Sequence, residues 1–236
     1  MLREYTVFKK SLTELPAGRQ IVIHTINQYS FCIAEKDPVF KQALLESDVL
    51  LPDGVGITAG LRFLNNERVN KIAGADLHLF LLNRLNQLGG SCFYMGSSEK
   101  TLLKIRERIG KEYPNIRVET YAPPFKPEFS EEDNHNITQA INEFQPDVLF
   151  VGLTAPKQEK WVMAHKNKLQ AGYICSIGAV FDFYAGTIER PAQIWIRLGL
   201  EWLGRLLKEP KRMWRRYLYY GPVYAGHLLK EKFLKN

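Results

Sequence analysis

Between residues 19 and 177, six short runs of buried-strand character alternate with longer stretches of helical character, and this alternation narrows the fold more than any other feature. The runs 19–25 (RQIVIHT), 48–51 (DVLL), 91–95 (SCFYM), 116–121 (IRVETY), 147–151 (DVLFV) and 173–177 (YICSI) are rich in β-branched and aromatic residues, as buried strands are. Residues 36–46, 75–88, 99–112, 131–144 and 157–168 fit helices. Ser97-Ser98 before the third of these, and Ser130 followed by Asp133 before the fourth, supply N-cap signals, while Gly89-Gly90 closes the second. Strands alternating with helices of this length imply βαβ crossovers, hence an α/β, Rossmann-like fold with a mostly parallel sheet covered by helices on both faces.

Past Gly186 the pattern changes. Arg190-Pro191 breaks the chain, and from Ala192 onward there are helical patterns without strands, interrupted at Pro210 and Gly221-Pro222. The expected organisation is an α/β body over 1–190 and a helical appendage over 191–236. Charge divides at the same place. Residues 190–236 hold eleven Lys/Arg against three acids, so the whole excess behind the net charge of +7 lies there. The same segment carries Trp195, Trp202, Trp214, Tyr217, Tyr219, Tyr220, Tyr224 and Phe233. A basic, aromatic segment suits nucleic acid, an anionic membrane surface or a phosphate-bearing ligand. The plainer alternative is a solvated helix face with a buried aromatic stripe.

In a doubly wound sheet, ligands bind beyond the carboxyl ends of the strands, so candidate chemistry belongs to the loops at those ends. After the first strand comes His24-Thr25-Ile26-Asn27, two small polar side chains that also suit a simple turn. After the second comes Pro52-Asp53-Gly54-Val55-Gly56, where Asp53 is either a helix N-cap or a functional base. Its glycine spacing, G-x-G-x-x-x-G with Gly60, is one residue too long for a dinucleotide fingerprint. The fifth strand runs into Gly152-Leu153-Thr154-Ala155-Pro156-Lys157-Gln158, with Pro156 suited to the first helical position. The helix N-terminus there would offer N–H groups and a positive dipole end to a phosphate, and Gln158 could read a base or sugar edge. The sixth strand leads into Gly178, with Asp182 among aromatics just beyond it.

Other chemistries find no foothold. The five histidines show no zinc spacing, there is no phosphate-cradling G-x-x-x-x-G-K-[ST] or G-x-S-x-G elbow, and no D-x-D pair marks a metal-bound nucleotide diphosphate. Cys32, Cys92 and Cys175 are expected as buried free thiols in a cytoplasmic protein, and neither a secretory signal nor an apolar run long enough to span a bilayer is evident.

The motifs in order resemble the WecG/TagA/CpsF family of bacterial glycosyltransferases, glycosyltransferase family 26. They are Thr25-x-Asn27, Leu51-Pro52-Asp53-Gly54-x-Gly56, Gly74-x-Asp76-Leu77, Gly152-x-x-x-Pro156-Lys157-Gln158-Glu159-x-Trp161 and Gly178-x-x-Phe181-Asp182. They continue through Gly186-x-x-x-Arg190-Pro191, Gly199-Leu200-Glu201-Trp202-x-x-Arg205 and Glu209-Pro210-x-Arg212-x-x-Arg215. The resemblance implies an inverting, metal-independent transferase without a cofactor. It would move an N-acetylmannosamine-type sugar from a UDP-sugar to a polyprenyl-diphosphate-linked N-acetylglucosamine at the inner face of the plasma membrane. By the same carry-over Asp53 is the general base, with Thr25 and Asn27 beside it, and Gln158 meets the sugar nucleotide. Gly152, Pro156, Gly178 and Asp182 belong to the substrate-binding loops, and Arg205, Arg212 and Arg215 are cations of the appendage. Where many members carry Arg, this chain has Lys71, which keeps the charge and loses the bidentate fork.

Residues 192–236 are accordingly expected to seek an anionic membrane surface and to complete the active site, so that deleting them leaves a folded but inactive body. Nucleic acid is not an expected partner, and a homo-oligomer is compatible with the sequence. The rival from another class is a nucleic-acid-binding protein gripping phosphates through the tail. A nucleotide-dependent oxidoreductase is disfavoured by the glycine spacing.

Overall fold

The computed structural model describes residues 1–18, 20–189, 195 and 200–233. Six strands form one all-parallel sheet: β1 (Ile21–Ile26), β2 (Val49–Pro52), β3 (Ser91–Gly96), β4 (Arg117–Tyr121), β5 (Val148–Gly152) and β6 (Tyr173–Ser176). Their order across the sheet is β2-β1-β6-β5-β3-β4. Every expected strand is present within two or three residues of its expected bounds. Eight helices connect or follow the strands: α1 (Gln28–Ala34), α2 (Pro38–Leu45), α3 (Val55–Asn65), α4 (Gly74–Leu88), α5 (Glu99–Glu112), α6 (Glu131–Phe144), α7 (Lys157–His165) and α8 (Val180–Tyr184). Of these, α1, α3 and α8 were not among the helices expected from the sequence.

Alternation along each strand sends neighbouring side chains to opposite faces. Ile23, Leu51, Cys92, Phe150 and Cys175 meet Leu77 and Leu81 of α4, Ile105 of α5 and Phe181 of α8. On the other face Val22, Leu149 and Ile174 meet Ile137 of α6 and Val162 of α7, while Ile26 and Leu50 meet Phe31 of α1, Phe40 of α2 and Ile57 of α3. All three cysteines are buried free thiols.

Beyond the body, helices span Glu201–Lys208, Pro210–Trp214 and Tyr220–Phe233, with a π-helical turn over Arg215–Tyr219 between the last two. The expected boundary at Arg190-Pro191, and Gly199 of the motif string, lie outside the described residues. The final helix joins the core of the body: Tyr220 and Tyr224 pack in one cluster with Leu2, Phe31, Ile57 and Leu61. Glu231, buried, accepts hydrogen bonds from the backbone N–H of Leu2 at 2.8 Å and of Arg3 at 2.9 Å. Among the described residues no helix is long and apolar enough to cross a membrane.

Candidate active site

The carboxyl ends of β1, β2, β5 and β6 open toward the segment after Leu200, and two cavities lie between them. The larger, about 240 Å³, is lined from the sheet side by Thr25, Asn27, Asp53, Gly152 and Gly178, among others. The smaller, about 90 Å³, is lined by Gln28, Tyr29, Lys71, Glu201, Trp202 and Tyr217. Asn27, Asp53, Arg205 and Arg216 line both.

Local structure explains how β1 and β2 present their residues. Asn27 is the N-cap of α1: its side-chain oxygen accepts from Tyr29 N–H and Ser30 N–H, both at 3.0 Å, which leaves its NH₂ as the group available to a ligand. Asp53, in contrast, caps nothing. The N-cap of α3 is Gly54, in the left-handed region at φ 95° and without a side-chain cap bond, so the choice left open by the sequence resolves away from capping. The backbone is fixed by Asp53 N–H donating to Ile26 C=O at 2.8 Å, which ties the end of β2 to that of β1. Burial, reinforced by the Glu201 carboxylate, pushes the Asp53 carboxyl up to about 6, with Lys71 and Arg205 pulling the other way.

On the β5 and β6 side, Gly152, Thr154, Ala155, Gln158, Gly178 and Asp182 line the larger cavity. Pro156 does not line it, and it serves as the N-cap of α7 where the sequence suggested the first helical position. The Lys157 N–H is satisfied by Thr154 C=O at 2.9 Å, and the Lys157 ammonium turns away to Lys126 C=O at 2.6 Å. Asp182 accepts from the Thr187 hydroxyl at 3.3 Å. Glu159, which sequence reasoning passed over although it stands inside a quoted motif, is a buried acid lining the same cavity. Burial raises its carboxyl to about 7, against hydrogen bonds from Gln158 and from its own N–H.

The cations come from two places. Lys71, just before α4, pairs with Glu201 at 2.9 Å, which ties the body to the appendage helix Glu201–Lys208. Arg205 lies 5.2 Å from the Phe183 ring, and its Nε and Nη2 are buried without a hydrogen-bond partner. Arg212 lines the larger cavity and pairs with Glu209 at 2.9 Å. Arg215 is exposed and lines neither cavity; Arg216 takes that place, 4.6 Å from the Tyr29 ring. Periodicity does not find it: Arg205 is on the helix Glu201–Lys208, which a non-helical Glu209 (φ −131°, ψ 60°) separates from the helix Pro210–Trp214 carrying Arg212, and Arg216 stands in the π-helical turn. Among the described residues no group of three or more His, Cys, Asp or Glu could hold a metal ion.

The sequence pattern of the glycosyl transferase WecG/TagA/CpsF family matches residues 3–236. The chain belongs to this family. This WecG/TagA/CpsF transferase is also 32% identical, over 89% of its length and 80% of the relative's, to an N-acetylglucosaminyldiphosphoundecaprenol N-acetyl-beta-D-mannosaminyltransferase of Bacillus subtilis (strain 168). A protein of the same name from Bacillus spizizenii is 29% identical over 97% of this chain and 87% of its own. One from Staphylococcus aureus (strain MW2) is 24% identical over 90% and 81%.

Proposed function

We propose that this enzyme transfers an N-acetylmannosamine-type sugar from a UDP-sugar to a polyprenyl-diphosphate-linked N-acetylglucosamine, with inversion and without a metal ion. The observation that carries the reading is the place of Asp53, on the wall shared by two cavities and faced by Arg205 and Arg216. The donor lies in the larger cavity and the acceptor sugar enters through the smaller. The acceptor hydroxyl oxygen attacks the anomeric carbon as the bond from that carbon to the UDP phosphate oxygen breaks. The hydroxyl proton passes to Asp53, and UDP departs with the electron pair. Attack from one cavity with departure into the other is a single in-line displacement, hence inversion. With a carboxyl near 6, Asp53 is mostly ionised at neutral pH and able to take the proton. The developing diphosphate charge is met by the guanidinium groups of Arg205, Arg212 and Arg216. Thr25 and the Asn27 NH₂ hold the sugar beside Asp53. The relatives' names specify an N-acetylmannosaminyl transfer and a diphospholipid acceptor.

The same reading makes 1–190 the catalytic body and 191–236 an appendage that completes the site at the inner face of the plasma membrane. Supporting this, Leu207, Trp214, Leu218, Tyr219, Leu229 and Phe233 are exposed among the cationic residues of the segment. Apolar groups set among cations suit a lipid interface, where each Lys or Arg contributes about 1 kcal/mol near an anionic leaflet. The decisive experiment offers a panel of UDP-sugars with a lipid-diphosphate-N-acetylglucosamine acceptor in the presence of a chelator. Transfer from UDP-N-acetylmannosamine yielding a β-linked product is expected; transfer that stops on chelation, or no transfer from any UDP-sugar, would overturn the proposal.

A further inference from the structure

Gln158 and Glu159, consecutive in the first turn of α7, are 4% and 2% exposed, and both line the larger cavity. Gln158 Nε2 donates to Glu159 Oε1 at 2.8 Å. The two remaining oxygens, Gln158 Oε1 and Glu159 Oε2, are buried and have no hydrogen-bond partner. Orphaned acceptors of this kind are costly, and in native proteins they are answered by water or by a ligand.

The pair has a direction. A carboxylate can only accept hydrogen bonds, whereas a primary amide donates from one end and accepts at the other. With Glu159 beside it, the Gln158 amide must turn its NH₂ inward to the carboxylate. Its carbonyl oxygen is then the end left over for whatever occupies the cavity. The amide is packed against Gly178, itself on the cavity wall: Gln158 Oε1 lies 3.3 Å and Nε2 3.6 Å from where a Cβ would stand there, so the amide has little room to move as a whole.

We infer that Glu159 is a positioning residue that locks the Gln158 amide with its carbonyl toward the ligand, so that the cavity selects a nucleotide base whose ring edge donates an N–H. This rests on the proposal that a nucleotide occupies the larger cavity. A uracil-type imide donates from N3, while cytosine presents a lone pair at N3 and would set acceptor against acceptor. Cytosine could offer its exocyclic amine only by shifting along its edge, which a buried, packed amide does not follow. Glu159 touches no reacting atom; its effect runs through Gln158.

The test is calorimetric binding of UDP and of CDP at pH 8.5, where Glu159 is ionised. The wild-type protein is expected to favour UDP by about ten-fold or more, the usual consequence of leaving a buried polar group unanswered. In Glu159→Gln the neighbour can donate or accept, the Gln158 amide can adopt either orientation, and the UDP-to-CDP ratio should fall toward one while the melting temperature shows the protein folded. Glu159→Ala, which removes the anchor altogether, should lower the ratio in the same way. A ratio unchanged in both variants, or absent from the wild type, would overturn the positioning role. Gln158→Ala separates this from the underlying reading: it should weaken UDP binding several-fold, and unchanged UDP affinity would remove the nucleotide from this cavity and the inference with it.

Discussion

Asp53 shows how much a single residue can say from sequence and where it stops. Its position, an acid between Pro52 and Gly54 at the end of a short apolar run, marks a strand end facing the ligand crevice. Whether it capped the next helix was not readable, because Asp before a helical stretch is the common N-cap signal. The backbone decides: Gly54 takes the cap position, leaving the carboxylate for chemistry. Asp53→Asn should therefore keep the fold and UDP binding and lower turnover by roughly 10²–10⁴-fold, the usual worth of a general base. For the wild type, kcat/KM should rise with pH through about 6 as Asp53 loses its proton, and the Asn variant should lack that limb. Stability gives an independent sign. A carboxyl raised in the folded state favours folding most below its unfolded value, and that contribution is lost as pH rises through about 6. Asp53→Asn should thus melt higher than wild type at pH 8 and no higher at pH 4. A melting difference that ran the opposite way would show that Asp53 is stabilised as an anion rather than strained as one. Arg216 carries the converse lesson. The motif pointed to Arg215, whose side chain is exposed and lines neither cavity, while the neighbouring Arg216 of the π-helical turn lines both, a difference that one position of sequence does not reveal.

At the scale of elements, five strands were legible because buried parallel strands are short, continuous and apolar, whereas the edge strand β4, none of whose residues is fully buried, showed through its β-branched and aromatic residues. The helices that escaped notice are those whose local signals run against them. α3 contains two glycines and two β-branched residues besides its leading Val55, and α8 is five residues long. Tertiary contacts hold α3 instead: Ile57, Leu61 and Leu64 are buried, and Gly60 lets the last helix approach so closely that an added Cβ would meet the Tyr224 hydroxyl and Leu2. That hydroxyl donates to Gly56 C=O at 3.1 Å, so α3 is joined to the last helix at two consecutive turns. A glycine that weakens the helix alone is required by the helix pair. Gly60→Val should destabilise the protein by about 1–3 kcal/mol through overpacking. It should also lower transfer activity, because the segment that carries Arg205, Arg212 and Arg216 leads into the displaced helix. Thermal melting and turnover measured on the same sample check this; normal turnover with a lowered melting temperature would show that the arginines are positioned independently of the last helix.

The whole molecule differs most from what its composition suggested. The charge step at residue 190 was plain in the sequence, and it made the tail look like an accessory. Basic and aromatic residues in one segment do not reveal which aromatics face solvent, and here the segment uses both faces. Tyr220 and Tyr224 complete the cluster around Phe31 and Ile57, while Trp214, Leu218 and Phe233 stay exposed. The Lys71–Glu201 pair and the Glu231 contacts to Leu2 and Arg3 add polar ties from opposite ends of the segment. Deleting 192–236 would uncover large apolar side chains, each worth about 1.5–3 kcal/mol when fully buried, so the truncated chain should unfold or aggregate rather than persist as an inactive body. A truncated body with a cooperative melt near that of the full chain would contradict this. Membrane association is therefore better dissected by point changes on the exposed side. Trp214→Ser combined with Leu218→Ser touches neither cavity, and should weaken binding to anionic vesicles while leaving turnover of a water-soluble acceptor near normal. Lys230→Ala should lower vesicle binding in a salt-sensitive way, since charge attraction is screened over about 8–10 Å at physiological ionic strength. Lys232 is a poorer probe, because its ammonium also caps Leu64 C=O at the end of α3. Arg212→Ala should abolish most activity even with the soluble acceptor, because that side chain lines the larger cavity. If Trp214→Ser with Leu218→Ser cost as much soluble-acceptor turnover as Arg212→Ala, the exposed apolar surface would belong to the active site, and the division of the segment into a lipid-facing side and a diphosphate-facing side would fail.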